Sequence, residues 1–100
     1  MGQIVDFRNT GYTVLMKRYS NNNRLAILLV NPEEPQYDVI VCTINMPSLE
    51  LNDNIVIIKN YSENEGVLDA LIKHEVISEP IGVVQTGFVK SPMCKVLIDT

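Results

Sequence analysis

Only one stretch of this 100-residue chain carries sustained helical periodicity, and the rest has to be organised around it. From Lys59 to Ile77 (KNYSENEGVLDALIKHEVI), Val67, Leu68, Leu71 and Ile72 recur at helical spacing as one apolar stripe, while Asn64, Asp69 and Lys73 make the wet side. Ser62 followed three residues later by Glu65 reads as a capping box, in which the hydroxyl accepts from the Glu65 N–H and the carboxylate accepts from the Ser62 N–H. Glu63 and Glu65 in the first turn, with Lys73 and His74 in the last, match the helix dipole at both ends. Glu75 falls where a chain leaving a helix favours glycine, and a left-handed glutamate there costs about 1 kcal/mol.

The other apolar segments have β character. Tyr12–Tyr19 and Arg24–Asn31 flank Ser20-Asn21-Asn22-Asn23, and asparagines tolerate positive φ, so this reads as a β-hairpin. The first segment mixes apolar and charged residues as an edge or one-sided strand does. The second is apolar from Leu25 to Val30, as a central strand covered on both faces would be. A third strand, Tyr37–Ile44, ends before Met46-Pro47, and Ser48–Asp53 reads as a loop. Four consecutive β-branched residues, Ile55–Ile58, mark the strand Asn54–Lys59. Beyond Glu79-Pro80, Ile81–Lys90 resumes strand character, with Gly82 and Gly87 suggesting a bulge or a close backbone approach. Ser91-Pro92 reads as a turn before a short last strand, Cys94–Ile98. The expected order is β-β-β-β-α-β-β. That pattern implies a single two-layer α+β domain over residues 1–100, its one helix covering one face of a mainly antiparallel sheet. One helix is too little to cover so many apolar strands, and burial of the second face in a homodimer is a hypothesis that follows.

The longest apolar run, Leu25–Val30, is far short of the roughly 20 residues a membrane span needs. The start, MGQIVDFRN, lacks the basic lead and apolar core of a signal peptide, and Asp6 stands where a myristoylation motif wants Ser or Thr. A cytoplasmic protein without membrane association is expected. Residues 1–31 carry Arg8, Lys17, Arg18 and Arg24 against Asp6, a net +3; residues 32–79 carry ten acids against Lys59 and Lys73, a net −8. Nucleic acid is held mainly by Lys and Arg on its phosphates, so this acidic middle argues against direct nucleic-acid binding.

Chemistry-bearing residues are few. His74 is the only histidine, expected as a charged ring capping the helix C-terminus, and it has no identifiable nucleophile or orienting acid near it. Cys42 and Cys94 are too far apart for a zinc site or a disulfide framework and read as reduced, half-buried hydrophobes; a disulfide would need neighbouring strands with both side chains on one face. Asn52–Asn64 lacks the alternating ligands of a calcium loop, no Walker or dinucleotide fingerprint occurs, and Ser62 and Ser91 lack a nucleophile-elbow setting. Tyr12 and Tyr19 share a strand at odd separation and so face opposite ways, leaving no stacking platform. No catalytic residue, metal ligand or cofactor is expected. The acidic edge Glu63, Glu65 and Asp69 is either a solvated surface or a face that meets a basic partner.

Tyr61-Ser62-Glu63-Asn64-Glu65-Gly66 leading into an apolar helix, with Gly87-Phe88-Val89 before a later proline and the Asn45-Met46-Pro47 turn, resembles a small uncharacterised domain carried by conjugative elements, plasmids and phages of Gram-positive bacteria. The resemblance covers roughly residues 39–94, and Glu75 departs from the glycine expected in it. The family has no assigned catalytic residues. What the resemblance implies is a cytosolic accessory protein of a mobile element that binds a protein partner. Some such proteins inhibit restriction or CRISPR nucleases by occupying a nucleic-acid-binding surface, which is the alternative role for the Glu63, Glu65 and Asp69 edge.

Overall fold

Alternating burial along Thr10–Arg18, with Tyr12 and Val14 inside and Leu15 and Lys17 outside, sets the frame of the fold. The computed structural model describes residues 3–46 and 52–98. Four strands, β1 (Ile4–Phe7), β2 (Thr10–Arg18), β3 (Leu25–Val30) and β4 (Val39–Val41), form an antiparallel sheet in that order. A second antiparallel sheet has the order β5-β7-β6, from β5 (Ile55–Ile57), β6 (Gly82–Thr86) and β7 (Val89–Lys95). Between β5 and β6 come a 3-10 turn, Ser62–Asn64, and the helix α1 (Val67–Lys73). The α+β class and antiparallel pairing expected from the sequence are present, with the strands divided between two sheets.

Ile58 joins the two sheets. It bridges to Thr43 and donates its N–H to the Pro92 carbonyl at 2.9 Å. On either side, Ile44 N–H donates to Ile57 O at 2.9 Å and Lys59 N–H to Cys42 O at 2.8 Å. The core lies inside this fold-over: Val5, Ile27, Leu29, Ile58, Val67 and Leu71 are fully buried in one cluster. Leu68 and Ile72 pack against it from the helix, as the apolar stripe requires. α1 lies against β1.

Several sequence expectations are corrected. The helix has 7 residues, with the chain between it and the 3-10 turn broken at Glu65 (ψ 126°) and Gly66 (φ 96°). Ser62 is itself left-handed (φ 55°), so it forms no capping box, and Glu65 N–H instead bonds the Ser62 carbonyl. The cap comes from Asn60, whose Oδ1 accepts from Gly66 N–H at 3.1 Å and Leu68 N–H at 3.0 Å. Asn64 is buried rather than wet, donating from Nδ2 to the Val41 carbonyl at 2.7 Å.

β1 was not expected. Its hairpin to β2 closes through Arg8 (φ 52°) and Asn9 (φ 64°), the two positive φ values that a type I′ turn needs. That insertion makes β2 an interior strand, and the covering of both faces expected of β3 is incomplete: on its outer side Ala26 is buried but Leu28 and Val30 are only half-buried. Ile81–Lys90 is two strands rather than one: Gly87 (φ 66°) opens a two-residue turn closed by Thr86 and Val89. Gly82 faces the Met93 methyl, which lies where a Cβ would stand. Ser91-Pro92 is not a turn but lies inside β7. Pro92 is tolerated in this central strand because it lies where the pairing with β5 ends: its carbonyl still accepts from Ile58 N–H at 2.9 Å, and only the reciprocal bond is missing. Of the loop expected at Ser48–Asp53, residues 48–51 lie outside the described part, as does Pro47.

Candidate functional site

The acidic residues singled out in the sequence sit at the break between the 3-10 turn and α1. Glu63, Glu65 and Asp69 are all exposed. Glu63 is taken up by Lys59, with Nζ–Oε1 at 2.7 Å across one turn. That hydrogen bond holds the Glu63 carboxyl below its ordinary range and the Lys59 ammonium above its own. Arg8 reaches in from the β1–β2 turn, donating to the Glu65 carbonyl at 2.9 Å with its guanidinium 4.8 Å from the Phe7 ring centroid. Two cations therefore stand among the carboxylates.

Of these groups Arg8, Lys59 and Glu63, but not Glu65 or Asp69, rim a cleft between the helix entry and the β4 edge, with a volume of about 390 Å³. Phe7, Arg8, Tyr12, Asp38, Lys59 and Glu63 contribute to its wall. The Tyr12 hydroxyl donates to the Asp38 carboxylate, 3.2 Å from each oxygen. Burial and the Asp38 hydrogen bond raise the pKa of that phenol. The hydroxyl is thus a fixed donor.

His74 and the cysteines lie elsewhere. His74 Nε2 accepts the Asp6 N–H at 3.2 Å, so the ring turns to β1 rather than capping the helix carbonyls as expected. Gln3 Nε2 donates to the His74 carbonyl, so the helix end is tied to the strand leading into β1 from both sides. Cys42 and Cys94 are free and fully buried, which goes further than the half-burial expected. Burial pushes their thiols up to about 12 and about 11. Among the described residues, no three of His, Cys, Asp or Glu gather where they could hold a metal ion, and no helix is long and apolar enough to cross a membrane.

Sequence reasoning expected one uncovered apolar sheet face without placing it on particular strands, and missed a second apolar surface. The first is the outer face of the four-stranded sheet. The other is the free edge of β6, where Ile81 and Val83 are 62% and 60% exposed, continued at the hairpin tip by a wholly exposed Phe88. Gly-Phe between Thr86 and Val89 was the available signal, since glycine in the first central position of a two-residue turn presents the next side chain at its apex.

Fold and surface define the class: a small α+β protein of two linked antiparallel sheets, with exposed apolar surface at a sheet edge. No family model, no curated protein and no solved structure matches the chain.

Proposed function

We propose that this chain is a non-catalytic protein-binding module, an accessory protein of a mobile genetic element working in the cytoplasm. The observation that carries the binding part is Phe88, fully exposed at the apex of a tight hairpin whose edge strand also leaves Val83, and Ile81 just before it, exposed. A large aromatic on a rigid turn costs free energy in water and gains it in a partner's pocket, the usual behaviour of an interface anchor. β6 is also an edge strand, its outer backbone groups open to pairing with a partner strand. The mobile-element context rests on the resemblance of residues 61–66 and 87–89.

The alternative is an acidic inhibitor of a host nuclease acting through Glu63, Glu65 and Asp69. Its support is the exposure of all three carboxylates; the Lys59 pair and the nearby Arg8 weigh against it by neutralising part of that field.

The two readings separate in one experiment. Tagged wild type, Phe88→Ala and the triple Glu63→Lys, Glu65→Lys, Asp69→Lys variant are used to capture proteins from a Gram-positive host lysate at low and high salt. The module reading expects a specific partner retained at high salt and lost with Phe88→Ala. A nucleic-acid-processing partner lost with salt and with the triple variant, but kept by Phe88→Ala, would overturn it in favour of the inhibitor, because exposed charge pairs weaken as salt screens them.

A further inference from the structure

The outer face of the four-stranded sheet has an end-to-end pattern that fits a second copy of itself. Two rows of residues cross it in register. Ile4, Thr13, Val30 and Val39 form one, and Leu15, Leu28 and Val41 the next. Ile4, Leu15, Val39 and Val41 are 39% to 51% exposed, and α1 lies against the opposite, inner face. At one end of the face Asp6 pairs with Gly11, and its Oδ1 lies 3.7 Å from the place a Gly11 Cβ would take, so the carboxylate leans over β2. Glu33 borders the same glycine. Lys17 is exposed on the same face at the other end of β2, where Tyr19, its hydroxyl 3.1 Å from Thr43 Oγ1, closes the sheet. The face is thus apolar across the middle, negative at one end and positive at the other.

We propose that this face binds a second copy of the chain in a twofold dimer, β2 crossing antiparallel over β2. A twofold axis in the interface plane, perpendicular to the strands and passing at Val14, makes the pattern self-complementary. It carries Lys17 over the second copy's Gly11, onto the carboxylate of its Asp6, and repeats the contact by symmetry. The same rotation sets Leu15 on Thr13, Leu28 on Val30 and Val41 on Val39, so each apolar row meets the other. Sheets packed face to face stand about 10 Å apart, a gap that the side chains of these rows fill. The charged ends select the antiparallel arrangement, since the parallel one sets Lys17 against Lys17 and gathers both Asp6 carboxylates at the other end. This surface is separate from the β6 edge and Phe88, so the dimer and the partner-binding reading stand or fall independently.

The test is sedimentation equilibrium of the full chain from micromolar to millimolar concentration, with circular dichroism as the control for folding. Wild type is expected to dimerise. Leu15→Asp, an exposed-face change that leaves the fold intact, is expected to weaken the dimer by about 100-fold or more, because it places a carboxylate at the apolar centre twice. Lys17→Asp and Asp6→Lys are each expected to weaken it about tenfold, and the double exchange to restore it. A monomer at every concentration overturns the proposal, as does a dimer indifferent to Leu15→Asp. A double exchange no tighter than either single variant overturns the antiparallel arrangement.

Discussion

At Glu75 the backbone is left-handed, with a φ of 59°, and the chain leaves α1 through a complete Schellman motif. Val76 N–H reaches the Leu71 carbonyl at 2.9 Å and Glu75 N–H the Ile72 carbonyl at 3.0 Å, with Val76 and Leu71 both buried. The geometry is that of a glycine, while the side chain is exposed and adds no contact that the motif needs. Glu75→Gly is therefore expected to stabilise the protein by about 0.5 to 1 kcal/mol, the relief of left-handed strain less the glycine's greater freedom when unfolded. Urea denaturation reads this as a higher midpoint at unchanged slope; a lower midpoint would mean that Glu75 has a stabilising contact. This residue was legible in the sequence because a helix end followed by a non-glycine leaves few conformations. Arg8 was not. An arginine at a positive φ contradicts local preference, and only its reach to Phe7 and the Glu65 carbonyl accounts for it.

The helix illustrates how a correct stripe can accompany wrong ends. Val67, Leu68, Leu71 and Ile72 pack as their spacing requires, but Ser62 and Glu65 do not cap them. The cap arrives from Asn60, outside the helix and with a strand-to-turn connection between, a non-local bond that no spacing rule encodes. A helix of 7 residues is too short to persist alone, so its stability comes from packing on the core and from this one side chain. Asn60→Ala removes the acceptor for two N–H groups and is expected to cost about 1 to 2 kcal/mol. Hydrogen exchange provides the sharper reading: the Leu68 amide should lose protection more than the amides of β3. Equal loss at both would show that Asn60 supports the whole fold instead of the helix entry. The hairpin β6–β7 was misread for a related reason. Pro92 signals a break, and it is admitted to a central strand because it sits at the end of the β5 pairing, where its carbonyl takes the Ile58 N–H and a single reciprocal bond is lost, a fact of tertiary pairing.

For the molecule as a whole, the sequence carries the class, the strand-forming segments and most of the core, because alternation and apolar stripes are local records of burial. It does not carry the division into two sheets, which depends on Ile58 finding Thr43 on one side and Pro92 on the other. It signals that one helix leaves an apolar sheet face over, but not which strands share that face, since an apolar β3 reads the same whether its second side is covered by a helix or left open. Both cysteines fall inside the joined core, one leaving β4 and one in β7, and this position makes stability sensitive to alkaline pH. In the unfolded chain a thiol ionises near its ordinary value of 9.0; folded, burial holds Cys94 protonated to about 11 and Cys42 to about 12. Above pH 9 the folded state thus binds more protons than the unfolded one, and stability falls as pH rises. The stabilisation is whole below pH 9 and is lost progressively up to the folded values. Each thiol contributes a slope of at most about 1.4 kcal/mol per pH unit, so the two together should remove roughly 2 to 5 kcal/mol between pH 9 and 11. Lysines and tyrosines titrate over the same range, and Tyr12 shifts in the same direction. The thiol share is isolated by comparing wild type with Cys42→Ala, Cys94→Ala, which starts lower because of the cavities it creates but should decline less steeply. Parallel declines in the two proteins would show that the thiols are reached by solvent and that the joined core is open at this seam.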